Sequence, residues 1–348
     1  MVGSTRMSRR NNHLAPAGRF ALLPVVVGIA ISLGSLALVL RWAGWAPMLE
    51  AIRGMDPRLV GLAALVFLAS MWARVACWHS LLGGGVPMMR VLAALNEGYL
   101  LNNVLPWRLG EVGRAILLGR RPGLSVPQVL STIVVERLYD LIFGFSILLS
   151  LLPLALDATW ARPAAIFGGA FGLTGLAILW MLRRDPPWIE AVLRRLPGGL
   201  ASWGRLWHSF REGLLVLGSP RRFLVSLFWM ASTWGLAGVE YWLVLRAVHP
   251  PAQIPWAFFM LAVSLLGGAI PSSPGAIGVF EAAGVAALSA FGVPVAPALA
   301  AALLIHGMVY AIGSVFGAIA LANEGQTLAG LYRQARAWLS SAPAGDPA

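Results

Sequence analysis

The chain has 348 residues, 58% hydrophobic and only 11% charged, with a mean hydropathy of +0.76. A soluble domain carries about 25% charged residues, so this composition excludes an ordinary soluble protein and indicates a polytopic membrane protein. The net charge of +12 comes from Arg alone, because the sequence contains no Lys. These arginines stand mainly between apolar runs, where cytoplasmic loops and anionic lipid headgroups favour them, so no nucleic-acid partner is expected. The single cysteine, Cys77, excludes an internal disulfide and a thiolate metal cluster. There is no GxxxxGK[ST] loop and no HExxH, so neither a nucleotide, a metal nor another cofactor is expected.

A membrane span needs about 20 mostly apolar residues. The first run is Phe20 to Leu40, behind Arg6, Arg9, Arg10 and Arg19. It is too long for a signal peptide, and Arg41 follows at once, so it reads as an anchored helix. The second run, Leu59 to Leu82, is interrupted by Arg74. The stretch 88–120 is apolar but broken by Pro106. Val126 to Leu152 and Ala164 to Leu182 are the third and fourth spans. A basic loop, 183–222, carries Trp188, Trp203 and Trp207 and reads as an interfacial segment on anionic lipid. Phe223 to Val248 is the fifth span. Trp256 to Ile270 then meets the break PSSPGAIG at 271–278 and continues to Phe291. Pro297 to Ala322 is the last span. The organisation expected is a basic tail (1–19), a transmembrane domain (20–322) and a polar tail (323–348).

The arginines decide the topology. If 88–120 and 256–291 each dip into the membrane and return, every basic cluster and both termini lie in the cytoplasm. A single crossing over 88–118 would put the basic 183–222 loop outside. The expected fold is therefore an all-α inner-membrane bundle of six spans with two re-entrant hairpins. Each half then reads span, span, hairpin, span, and the second half is inverted. Inverted repeats with broken helices place a transport site near the midplane. Both breaks run Pro, Gly, Glu: Pro106, Gly110, Glu111 and Pro274, Gly278, Glu281.

Three polar constellations interrupt the apolar sequence. In LLNNVLPWRLGEVGRAILL (100–118), Asn102 and Asn103 can satisfy the backbone groups that Pro106 frees. Arg108, Glu111 and Arg114 lie three apart and form one slowly winding helical stripe. The planar Arg fork suits phosphate, although the same stripe could be a structural set of ion pairs. In VVERLYDLIFG, Glu136 and Asp140 share a helical face and need a cation from Arg137, Arg108 or Arg114. With Glu111 the set holds three charges of each sign. Arg74 is expected to snorkel or to pair with Glu97.

In PSSPGAIGVFEAAG, Ser272 and Ser273 are candidate N-caps for a half-helix beginning near Pro274, whose N-terminus attracts anions. Glu281 would lie about two turns in, as a proton carrier, a contact for a cationic headgroup, or a partner of Arg or Ser. Glu240 and His306 are candidates for a proton path, and His306 equally for an ordinary core residue.

The order N-x-x-P-x-R-x-G-E-x-x-R (Asn103 to Arg114), E-R-x-x-D (Glu136, Arg137, Asp140) and P-S-x-P-G-x-x-G-x-x-E (Pro271 to Glu281) resembles the lysylphosphatidylglycerol synthase transmembrane region. The resemblance runs from about 20 to 322, nearly the whole chain. In bifunctional members of that family this domain moves aminoacylated phosphatidylglycerol between leaflets, and a soluble domain attaches the amino acid. The chain ends 26 residues after Ala322, so the resemblance implies translocation without the aminoacyltransferase.

The reading expected is a lipid flippase or headgroup transporter, and not an enzyme. Its substrate would be an anionic phospholipid, an aminoacyl-phospholipid or a lipid-linked glycan. Arg108 and Arg114 would hold phosphate, while Glu111 and Glu281 would meet the rest of the headgroup. A separate synthase or glycosyltransferase is a candidate partner, and an oligomer is compatible with the sequence. Two alternatives are a non-transporting partner of such an enzyme and a membrane glycosyltransferase, for which 41–58 offers only Glu50 and Asp56 as acids.

Overall fold

The computed structural model describes residues 18–104, 109–119, 123–156, 161–182, 184, 187–193, 207, 211, 218–267, 273–327, 330 and 333. Among them every regular element is helical. The helices are α1 (Gly18–Ala43), α2 (Trp45–Arg53), α3 (Pro57–Leu81), α4 (Met88–Val104), α5 (Leu109–Gly119) and α6 (Val126–Ala155). They continue as α7 (Ala161–Leu182), α8 (Pro187–Leu193), α9 (Pro220–Val248), α10 (Ile254–Gly267), α11 (Val279–Ser289) and α12 (Val295–Asn323).

Polar caps followed by proline start three of the long helices. Asp56 accepts from the Arg58 N–H (2.9 Å) at α3, Ser125 from Gln128 (3.3 Å) at α6, and Ser219 from Arg222 (3.1 Å) at α9. Each side chain satisfies an orphan first-turn donor, and a proline beside it has no donor to lose. Helices α3, α6, α9 and α12 are long and apolar enough to cross a membrane, and α1 with α2, bent by 80°, makes a fifth candidate. The expected fourth span coincides with α7, whose apolar part, Ile166–Leu182, is shorter than the candidates above. The polytopic all-α fold is thus as expected. One addition is α2, which fills the 45–53 connection and packs on α12.

Both broken stretches fold as hairpins. Helices α4 and α5 pack as the arms of the first, and α10 and α11 as the arms of the second. They enter from opposite faces. Arg90, at the start of α4, meets Glu324 at the end of α12 (2.6 Å). At the other face, Trp256 of α10 stacks on Phe291, just past α11 (5.7 Å). Corresponding elements of the two halves also pack in corresponding ways. Helix α3 lies along α9, the first arm α4 along α12, and the first arm α10 along α6. This is the arrangement expected of an inverted repeat.

The second break differs from expectation in detail. Only one 3-10 turn (Pro274–Ala276) follows Ser273, and the Ser273 hydroxyl caps nothing there. The α-helical arm begins at Val279, so Glu281 lies in its first turn rather than two turns in. The cause is backbone geometry: Gly275 (φ 70°) and Gly278 (φ 87°) sit in the left-handed region and stop a helix from running through.

The first hairpin depends on close approach of its arms. A Cβ at Gly110 would collide with the carbonyl of Gly98 and the side chain of Asn102. Gly110→Ala should therefore destabilise the protein by about 1–3 kcal/mol, the usual range for overpacking. Chemical denaturation in detergent micelles reads this directly, and an unchanged midpoint would show that the arms can separate freely.

Candidate functional site: an ion network and two joined hairpin tips

Five of the residues singled out in the sequence come together on α5 and α6: Glu111, Arg114, Glu136, Arg137 and Asp140. Arg74 of α3 joins them. Its Nη1 donates to Glu136 Oε1 (2.9 Å) and Asp140 Oδ2 (3.0 Å), and its Nη2 to Asp140 Oδ1 (2.9 Å). The other oxygen of Glu136 accepts from Arg114 Nη2 (2.9 Å). Arg137 Nη1 donates to Asp140 Oδ2 (3.0 Å). Arg137 Nε stands 3.0 Å from Glu111 Oε1 but off the hydrogen-bond axis. The Trp234 indole N–H donates to Asp140 Oδ1 (3.2 Å).

Three arginines thus balance three carboxylates. Asp140 lies about 21 Å along α6 at 1.5 Å per residue, within the depth of a bilayer. A single charge there would cost several kcal/mol to desolvate, which is why all six are paired. The sequence reading took Arg108 as the third cation; Arg108 lies outside the described residues, and Arg74 stands with Arg114 and Arg137 among the described ones. Glu97, the partner expected for Arg74, is buried and bonds Arg90 instead (3.3 Å).

The six groups differ in accessibility, and that difference separates their roles. Side-chain exposure is 30% for Arg137 and 24% for Glu111, against 15% for Arg74, 3% for Arg114 and Asp140, and none for Glu136. Arg114 is also covered by Trp78, whose ring lies 4.5 Å from the guanidinium and whose indole N–H is held by Thr132 (3.1 Å). Arg114 is enclosed, and Arg137 is the most exposed of the three arginines.

The second cluster lies where the hairpin tips meet. Tyr310, midway along α12, donates its hydroxyl to the carbonyl of Asn103 at the end of α4. Asn103 Nδ2 donates to Ser314 Oγ (3.0 Å). The same Tyr310 ring packs against Gly275 in the other break. One turn earlier on α12, His306 reaches Glu281 (Nδ1 to Oε1, 2.6 Å) and the Gly275 carbonyl (Nε2 to O, 2.9 Å). Glu281 Oε2 accepts the Gly278 N–H (2.6 Å). The backbone N–H of Ser273 is held by Ser32 of α1 (2.8 Å). Arg108 and Ser272 lie outside the described residues.

Sequence reasoning did not anticipate the Trp78, Trp234 and Tyr310 contacts. Arg74 did carry a signal, a lone cation well inside an apolar helix, but the sequence pointed to Glu97 rather than to Glu136 and Asp140. Among the described residues no group of three His, Cys, Asp or Glu side chains is arranged to hold a metal ion.

The profile described as lysylphosphatidylglycerol synthase TM region matches residues 25–317. The chain belongs to this family. Over 310 residues it is 22% identical to a UPF0104 membrane protein of Methanothermobacter thermautotrophicus, covering 82% of this chain and 91% of that protein. Over 344 residues it is 25% identical to the glycosyltransferase AglD of Haloferax volcanii, covering 84% of this chain and 53% of AglD. This lysylphosphatidylglycerol synthase TM-region protein thus spans about half the length of AglD. Its family is named for a lipid synthase and one relative for glycosyl transfer, and its helices are those of a multi-pass membrane protein.

Proposed function

We propose that this chain moves a lipid with an anionic phosphate headgroup between leaflets, without catalysing a covalent reaction. The observation that carries the proposal is the contact between Arg137 and Glu111. It joins the two most exposed members of the network, and among the network's described ion pairs within 3.0 Å it alone is not an aligned hydrogen bond. A phosphate oxygen can replace the Glu111 carboxylate at Arg137, because the guanidinium fork accepts either anion with the same geometry. Arg74 and Arg114 stay bonded to Glu136 and Asp140 and keep the network balanced during the exchange. When Glu111 returns to Arg137, the phosphate is released.

The remainder of the lipid has an apolar surface to lie on. A cleft of about 350 Å³ opens between α6 and α10, lined mainly by Ile147, Leu151, Ile254, Pro255 and Phe258. Arg137 lies about 15 Å along α6 from Ile147, at 1.5 Å per residue. The family name supports an aminoacyl-phospholipid or phospholipid substrate, and the name of AglD supports a place beside glycosyl transfer. A separate synthase or glycosyltransferase then supplies the lipid.

Native mass spectrometry of the detergent-purified protein tests this. The wild type should retain an anionic lipid, and Arg137→Gln should lose it. Equal lipid retention by both would remove Arg137 from the site. Turnover of a polyprenyl-phosphate sugar by the purified chain would replace the transport reading with a transferase.

A further inference from the structure

The two hairpins carry corresponding ion pairs with different chemistry. Glu111 is the third residue of α5, and Glu281 is the third residue of α11. Arg137 stands twelve positions after the α6 N-cap (125 to 137), and His306 twelve after the α12 N-cap (294 to 306). Glu111 meets Arg137, and Glu281 meets His306. In the first half the cation is permanent, because guanidinium keeps its proton at all accessible pH. In the second half it is an imidazole, which exists in neutral and protonated forms.

The hydrogen bonds fix how many protons the second pair holds. A carbonyl only accepts, so His306 Nε2 carries hydrogen toward Gly275. One further hydrogen must lie between Nδ1 and Glu281 Oε1, 2.6 Å apart. The remaining oxygen, Oε2, already accepts from the Gly278 N–H. Loss of the shared proton leaves two lone pairs facing each other. A second proton has no place to go, since both carboxylate oxygens are accepting. Either change breaks the clamp that ties Gly275 and Gly278 to α12.

The described surroundings bring no other ion-pair partner to the two side chains. Among the described residues, Glu281 makes its ion pair with His306 alone. Phe280 and Tyr310 pack on the imidazole, at 4.5 and 5.8 Å, and the Tyr310 hydroxyl is engaged with Asn103. Helix α1 contributes Ser32 and α4 contributes Asn103. Helix α10 carries no charged residue. Glu240 and Tyr241 lie on α9, and Glu50 and Arg53 on α2, the other helices that pack against α12.

We propose that His306 and Glu281 form a proton-carrying pair whose unloading releases the second hairpin, so that lipid movement is coupled to a proton. This rests on the transport reading above. Its position supports the coupling: His306 and Tyr310 touch both breaks from one face of α12, so a change at the pair reaches both hairpin tips.

The test uses two readouts on the full chain in phosphatidylethanolamine–phosphatidylglycerol bilayers. Nitrogen-15 histidine signals are followed from pH 5 to 9, with His306 assigned by its absence in His306→Gln. In parallel, movement of a fluorescent phosphatidylglycerol is timed by dithionite quenching. The expected result is a one-proton transition at His306. The wild-type rate should share its midpoint and change about tenfold per pH unit beyond it. His306→Gln should show a flat pH profile. A His306 signal that does not titrate overturns the proposal, whatever the lipid does. A titrating His306 with the same rate profile in His306→Gln overturns the coupling and leaves lipid movement standing. No movement by the wild type at any pH defeats the transport reading and the coupling together, while the histidine spectrum still reports whether the pair carries a proton.

Discussion

Arg74→Ala should destabilise the protein by about 3–5 kcal/mol, the cost of removing one partner from a buried ion pair. The substitution removes three hydrogen bonds of 2.9–3.0 Å at once. Glu136 keeps Arg114, and Asp140 keeps Arg137 and Trp234, but three carboxylates then face two cations. Arg74→Lys should recover only part of the loss, because one ammonium cannot match two carboxylates with a planar fork. Arg74→Ala/Asp140→Ala should be more stable than the sum of the single variants implies, since it restores the charge balance. A denaturation series on the four proteins gives the coupling energy. A loss below about 1 kcal/mol for Arg74→Ala would put this pair in the class of solvent-screened surface bridges and sink the buried-network description.

The second large effect is on lipid movement. Arg137→Gln should slow it at least tenfold, equivalent to about 1.4 kcal/mol or more in the barrier. The variant should still fold, since Arg137 is the most exposed of the three arginines and Arg74 still holds both buried acids. Glu111→Gln separates binding from release. Without the competing carboxylate, an anionic lipid should be retained more tightly while movement slows. If Glu111→Gln instead weakens retention, the carboxylate supports the headgroup rather than exchanging with it, and the release step is wrong.

Much of the site was legible before folding because its chemistry is unusual for its surroundings. Charges inside apolar runs are costly, so Glu111, Arg114, Glu136, Arg137 and Asp140 stood out, and their spacing put them on shared faces. The paired Pro–Gly–Glu breaks likewise marked the two hairpins. What was not legible was which charge meets which. Arg74 finds Glu136 across 62 residues of sequence, while Glu97, a nearer acid in the chain, faces Arg90. Arg114 looked like a phosphate ligand on its helical stripe. Packing against Trp78, far away in sequence, covers it.

The sequence by itself determined a helical membrane protein with two broken hairpins, because apolar composition and the placement of Pro, Gly and Arg act locally or through the bilayer. Only the tertiary structure decided that Arg74 joins the ion network, that Arg137 is the most exposed of its arginines, and that Glu281 lies against His306. Those outcomes depend on side chains from different helices meeting within about 3 Å, the range over which a hydrogen bond forms. Periodicity along one helix carries no information at that distance about the helix beside it.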